Sequence, residues 1–284
     1  MIALFLTCGT PHNQAILPLL SAAKVPLVGP STGAMALHQP VHPWLFNVRA
    51  TSQREAERAV RHLVQIGVER IAIVQVADSF GDDAAVGALR GFGAGAKPVV
   101  HDLCDRAKPD FSTIVPRIVV ADVQAVLFIG SGTAVVDGMK ALRAAGSKAQ
   151  LLTLSNNASS GFVKALGEQA QGVTVSQVLP PERSFGTPMV KEAHDLAQAR
   201  SAKAPEITPA LLEGFAAAKV LTEGLRRAAA AAAGQLNRTG LQRALEGLNR
   251  YDLGGLELSY SATDHTGLDY ADLSIIGADG RFRR

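Results

Sequence analysis

Short continuous apolar runs alternate with longer stretches of helical spacing over the first 178 residues. The runs cover residues 2–6, 25–28, 70–76, 98–102, 125–129, 150–154 and 173–178. Runs this short, bounded by glycine and polar breakers, predict buried strands, and their alternation with 3.6-residue periodicity predicts βαβ units around parallel sheets. The intervening helices have recognisable ends. Ser52-Gln-Arg-Glu55 has capping-box spacing ahead of an amphipathic stretch that reaches Ile66 and stops at Gly67. Thr133 opens another that runs to Ala145 and stops at Gly146, and Asp82-Asp83 reads as the charged first turn of a further helix.

The pattern changes after residue 180. Thr187-Pro188 and Thr208-Pro209 each set a capping hydroxyl before a proline suited to the first helical turn. The second pair opens a long helix expected from Leu211 to about Ala233, with Gly234 as its stop. Its alanine run, residues 228–233, is a strong helix former. A helix near 239–248 follows, and then two strand-like runs, 256–260 and 270–276, connected through Asp264-His265-Thr266-Gly267.

Two of the early strands run out into polar segments: Thr10-Pro11-His12 after the first, and Gly29-Pro30-Ser31-Thr32-Gly33 after the second. Each is read as a loop with hydroxyls and free backbone N–H groups. Ligands of parallel α/β sheets sit at the carboxyl ends of strands, so two such loops side by side predict a cradle for a small anion such as a carboxylate. Neither loop holds a nucleophile with a base beside it, which points to holding a ligand without converting it.

Composition narrows the classes. A hydrophobic share of 47% in 284 residues supports one large core or two medium ones. The 28 basic and 25 acidic residues are scattered and leave a net charge of +3, so no nucleic-acid-binding stripe is expected. Cys8 and Cys104 lack metal-ligand spacing and are read as buried or unpaired thiols. No segment approaches the ~18 uninterrupted apolar residues of a membrane span, and the run at 2–6, with no basic residues ahead of it, is expected to be a buried strand and not an export signal.

The remaining candidates favour ordinary structural roles. His38 and His42 have Pro40 between them and cannot share a helical face, and they, His101 and His265 are expected on loop surfaces. Arg49 is expected to be solvent-exposed. Gly130-Ser131-Gly132 lacks the spacing of a nucleophile elbow or a dinucleotide fingerprint. No catalytic residue, metal or cofactor is expected.

The two loops, together with Asp78-Ser-Phe80-Gly81 after a strand, Asp110-Phe-Ser before a helix and Leu212-Glu-Gly-Phe215 in the long helix, resemble the type I periplasmic binding proteins. More narrowly, the chain resembles the branched-chain amino acid binding subunits of ABC transporters, from Ile2 to Phe282. The resemblance implies an α/β fold of two doubly wound, Rossmann-like lobes joined by three hinge crossings, near 49–52, 179–181 and 268–271. Residues 1–50 and 180–268 would form lobe I, and 51–179 with 269–284 lobe II. It also implies a ligand trapped in the cleft by hinge closure. Family members carry a signal peptide and two further strands with their helices ahead of the strand at 2–6. Lobe I is therefore expected to be incomplete, the chain a fragment or a mis-started reading frame, and self-association through the uncovered sheet edge is expected.

The family's ligand positions carry over one at a time. The hydroxyl that binds the ligand carboxylate falls on Thr10, and two backbone-and-hydroxyl contacts fall on Ser31 and Gly33, with Thr32 between them. On lobe II an aromatic that closes over the ligand falls on Phe80, and a second falls on Ser131. The acidic residue that pairs with the ligand's ammonium falls on Ser155, followed by Asn156. The resemblance implies a small carboxylate, whether an amino acid, an amino-acid-like compound or an aromatic acid; because a buried ammonium without a carboxylate costs several kcal/mol, the form expected is one lacking a free α-amino group, with an apolar or aromatic body. The implied partner is an ABC permease, the implied location the periplasm, and the function solute capture. A ligand-sensing regulatory module of the same fold is the first alternative. A hydrolase or nucleotide-dependent enzyme on a doubly wound sheet is the other.

Overall fold

The computed structural model describes residues 1–200, 206–231 and 235–284. The chain begins with β1 (Leu4–Phe5), α1 (Thr10–Ala23), β2 (Leu27–Val28) and β3 (Leu45–Phe46). The middle alternates α2 (Ser52–Gln65), β4 (Ile71–Val76), α3 (Ser79–Gly91), β5 (Val100–Cys104), α4 (Ile114–Val120) and β6 (Ala125–Ile129). It continues through α5 (Thr133–Ala144), β7 (Gln150–Thr153), α6 (Ser160–Leu166) and β8 (Thr174–Gln177). Then come α7 (Pro188–Arg200), α8 (Pro209–Ala231), α9 (Arg238–Glu246), β9 (Tyr251–Asp252), β10 (Glu257–Leu258), β11 (Asp272–Ile276) and β12 (Phe282–Arg283).

These elements form two compact units, one of residues 1–51 and 179–270, the other of 52–178 and 271–284. The second is built on a seven-stranded sheet in the order β12-β11-β8-β7-β6-β4-β5. The strands β5, β4, β6, β7 and β8 are mutually parallel, while β11 and β12 add antiparallel. All six residues of β4 and all five of β6 are buried, as a strand covered by helices on both faces requires. The chain starts at β4, steps to one side for β5 and returns to the other for β6. The strand order therefore reverses between β4 and β6, the place where doubly wound sheets hold ligands.

Close backbone approach packs the helices of this unit. Gly87 and Gly91 lie on the face of α3 that meets α2, and a Cβ at Gly87 would overlap the backbone of Gln53. The core beneath includes Ile71, Ile73, Leu127, Ile129 and Met139.

The first unit has a three-stranded parallel sheet, β1-β2-β3. Its larger core gathers Phe46, Leu212, Val220, Leu241 and Leu245 from β3, α8 and α9. Gly29, at φ +62°, lies against Ala217 of α8, where a Cβ would clash. Tyr260 donates its hydroxyl hydrogen to the Asn47 carbonyl, and His265 stacks on Phe46 at 4.1 Å between ring centres.

Several expectations need correction. Thr10-Pro11-His12 is not a loop but the first turn of α1, capped by Gly9 at φ 84°. β3 has only two residues, too short for periodicity to show. The strand expected at 98–102 lies two residues later, at Val100–Cys104. The run at 256–260 contracts to β10, which pairs with β9 in the first unit, whereas the run at 270–276 supplies β11 of the second. The long helix is described from Pro209 to Ala231, and its expected end at Ala233 and Gly234 lies outside the described residues.

Buried polar side chains were also misplaced from sequence. His38 and His265 are 2% and 1% exposed, not on loop surfaces. Arg49 is 3% exposed, with an ion pair to Glu213 at 3.4 Å. A histidine or arginine among apolar neighbours carries no local mark that it will be drawn inside.

Candidate functional site

In the first unit the parallel pairing of β1 and β2 brings their carboxyl ends together, and an isolated bridge between Cys8 and Ser31 extends it. The side-chain oxygens of Thr10 and Thr32 then meet at 2.7 Å, and both residues are buried. Two hydroxyls bonded to each other spend one hydrogen, so the pair retains a second for another acceptor. The Ser31 N–H is committed to the Thr7 carbonyl at 2.7 Å. Those of Thr32 and Gly33 have no partner among the described residues. Asn13 ties the turn down, accepting from the Thr7 hydroxyl at 2.5 Å and donating to the Gly9 carbonyl at 2.8 Å. Thr10, Thr32 and Gly33 thus form one group with Ser31 beside it, and the group has hydrogen-bond donors to spare.

In the second unit the candidates stand at the carboxyl ends of neighbouring strands: Phe80 after β4, Ser131 after β6, Ser155 and Asn156 after β7. Asp78 caps α3, its Oδ1 accepting from the Phe80 and Gly81 N–H groups at 3.0 and 3.1 Å. This fixes Phe80 in the first helical turn, where it is 8% exposed and packs against the core.

Sequence reasoning missed the residue that gathers this cluster. Arg106, two residues past β5, donates from Nε to Asp78 Oδ2 at 2.5 Å and from Nη1 to Ser131 Oγ at 2.6 Å. Its guanidinium lies 5.8 Å from the centre of the Phe80 ring. Burial would raise the Asp78 carboxyl, but the Arg106 hydrogen bond, with those from Gly81 and Phe80, outweighs it and holds the pKa below the ordinary value. The signal available was a charged Asp105-Arg106 pair following a strand.

Ser155 is buried, and its N–H donates to Glu55 at 2.9 Å. Glu55, of α2, is fully buried and also accepts from the Ser176 hydroxyl at 2.5 Å. A carboxylate therefore does lie near Ser155, but behind it and engaged in holding α2, β8 and this turn together. Asn156 and Asn157 both donate to the Gly130 carbonyl at 2.9 Å, joining the ends of β6 and β7.

The Cys104 thiol, at the end of β5, is pushed up in pKa by burial and then by Asp105, which keeps it protonated and a poor nucleophile. No group of His, Cys, Asp or Glu side chains among the described residues is placed to hold a metal ion. A cavity of about 490 Å³, lined by residues that include Ile118, Asp122, Gln124 and Ser147, opens near the amino ends of β6 and β7 and contains none of the candidate residues. No helix among the described residues is long and apolar enough to cross a membrane.

The arrangement matches known proteins closely. The family described as periplasmic binding protein matches residues 2–278. A substrate-binding periplasmic protein from Ralstonia solanacearum superposes with a TM-score of 0.84 at 29% identity, over 99% of this chain and 79% of that one. A possible leucine/isoleucine/valine-binding protein from Rhodopirellula baltica gives 0.88 at 25% identity, over 100% and 78%. An extracellular ligand-binding receptor from Verminephrobacter eiseniae gives 0.85 at 25%, over 100% and 80%. Among curated proteins none matches. A mixed α/β chain with this sheet order, matched along nearly its whole length, belongs to the periplasmic binding protein family, and its fold is that of the branched-chain amino acid binding type.

Proposed function

We propose that this protein captures a small carboxylate in the periplasm and delivers it, chemically unaltered, to an ABC permease. The observation that carries the reading is the Thr10–Thr32 hydroxyl pair, with the unpartnered Thr32 and Gly33 amides beside it. Donors without acceptors, at the carboxyl ends of adjacent parallel strands, suit a carboxylate headgroup. In the second unit we propose Phe80, Ser131, Ser155 and Asn156 as ligand-contacting residues.

The absence of a free acid among these residues argues against an α-amino acid. Both oxygens of Asp78 are occupied, and Glu55 is fully buried behind Ser155. A ligand ammonium held there would lose several kcal/mol of hydration without a partner. The ligand is accordingly a carboxylic acid without an α-amino group. A ligand that favours one conformation by differential contacts gives the permease a state to recognise.

A thermal-shift panel followed by isothermal titration tests this, because a ligand selective for the native state raises the melting temperature by mass action. Aliphatic or aromatic acids should stabilise the protein and titrate, and Thr10→Val should weaken the same titration. Binding of leucine or valine with every plain acid inert would overturn the reading.

A further inference from the structure

The outermost parallel strand of the second unit leaves one of its faces bare. β5 pairs with β4 alone, and its other edge has no strand partner among the described residues. Exposure alternates along residues 97–105: Lys97, Val99, His101, Leu103 and Asp105 are exposed, while Val100, Asp102 and Cys104 are buried. A strand with one face on a core turns polar side chains outward. Here the outward Val99 and Leu103 are 47% and 59% exposed.

The neighbouring helix adds to this surface. α3 packs on α2 and β4, and its Val86 and Leu89, 48% and 42% exposed, share a helix face with Asp82. Asp82 accepts from Gln75 Nε2 at 2.9 Å, and Gln75 Oε1 meets His101 Nε2 at 2.7 Å, which turns that helix face towards the bare face of β5. Exposed apolar side chains beside an open strand edge make a template for pairing with another strand.

The charges select the strand. Lys97 lies four residues before His101 and Asp105 four after it, and Val99 and Leu103 lie two before and two after. A second β5 laid antiparallel about a two-fold axis at His101 therefore sets Lys97 opposite Asp105 and Val99 opposite Leu103, each contact occurring twice. Both charges are available. Lys97 has no partner among the described residues, and Asp105 takes the Ala107 and Lys108 N–H groups through Oδ1, leaving Oδ2.

We propose that the occupant of this edge is a second copy of the chain, the two protomers pairing antiparallel through β5 about His101 so that their seven-stranded sheets become one continuous sheet. The surface belongs wholly to the second unit, apart from the first-unit edge at which the sequence led us to expect self-association. It is also independent of the ligand reading.

Sedimentation equilibrium from about 1 to about 100 µM tests this, a range suited to a small edge-to-edge interface. The wild-type protein should dimerise. Lys97→Glu and Asp105→Lys each set like charges opposite one another at both ends of the paired strands, and each should weaken the dimer by about 10-fold or more. The double variant Lys97→Glu/Asp105→Lys restores opposite charges and should return to within about 3-fold of wild type. Leu103→Ser, with both charges intact, should weaken the dimer by about 10-fold. Melting temperatures report whether each variant keeps its fold, and if Asp105→Lys does not, Lys97→Glu and Leu103→Ser decide alone.

A wild-type protein that stays monomeric throughout would overturn the proposal, whatever else the edge receives. So would a dimer unmoved by Lys97→Glu and Leu103→Ser, because it would use another surface. A folded double variant as weak as the single ones would reject the pairing about His101.

Discussion

Thr10 and Thr32 lie 22 positions apart in sequence, and their hydroxyls meet at 2.7 Å because β1 and β2 pair in parallel and end together. Removing one hydroxyl takes away a proposed ligand donor and leaves the other buried without its partner. Thr10→Val should weaken binding of the acid ligand by about 10-fold or more and cost about 1 kcal/mol of stability. Titration and urea denaturation of the same preparation separate the two effects. Unchanged affinity would remove Thr10 from the site.

His38 is buried with neither ring nitrogen hydrogen-bonded, and burial followed by the nearby Arg49 lowers its pKa to about 4, partly opposed by Asp264. A base whose folded pKa lies below the unfolded 6.5 favours the neutral form. Its contribution to stability is complete above about pH 6.5 and is lost as pH falls towards about 4, because the unfolded chain binds the proton first. A difference of about 2.5 pH units corresponds to about 3 kcal/mol. Denaturation of wild type and His38→Leu between about pH 7 and about pH 4 should show the variant losing less by up to that amount. The difference between the two proteins isolates His38 from His42, whose pKa burial also lowers.

Two helical glycines should respond oppositely to alanine. Gly87 faces the backbone of Gln53 with no room for a Cβ, whereas the nearest heavy atom to a Cβ at Gly161 would be Ser159 Oγ at 3.8 Å. Gly87→Ala should cost about 3 kcal/mol or more by forcing α2 from α3. Gly161→Ala in α6 should be neutral or stabilise by up to about 1 kcal/mol. Melting curves for the pair suffice, and equal behaviour would contradict the packing described.

Glu55 accepts hydrogen bonds from the Ser155 N–H and the Ser176 hydroxyl without any exposure to solvent. Glu55→Ala leaves both donors buried and unpaired, and should cost about 3 kcal/mol or more. Ser176→Ala, which removes one donor and leaves the carboxylate its other bonds, should cost about 1 kcal/mol. Chemical denaturation of the two variants decides this, the reverse order counting against Glu55 as the fastener of that turn.

The legible parts of the sequence were those where one physical requirement dominates. β4 and β6 announced themselves because strands covered on both faces are almost continuously apolar, and α2 and α5 because one apolar stripe recurs at helical spacing. α1 escaped notice: Pro11 and Pro18 look like breakers, yet one occupies the first turn and the other sits inside the helix. The hydroxyl pair could be expected from strand ends alone. Arg106 could not, because its three partners come from β4 and β6 and assemble only once β5, β4 and β6 are side by side. The inward placement of His38 and Arg49 follows from tertiary packing that no local pattern encodes.

The antiparallel addition of β11 to β8 has a consequence for biosynthesis. Gln177 and Ser274, joined by a side-chain hydrogen bond at 2.7 Å, are 97 residues apart. At ribosomal speeds of about 5–20 residues per second, β8 waits roughly 5 to 20 s for its outer neighbour. Throughout that interval the nascent polypeptide offers an open strand to any other extended segment nearby. A truncation that removes β11 would leave the same edge of β8 open in the finished protein.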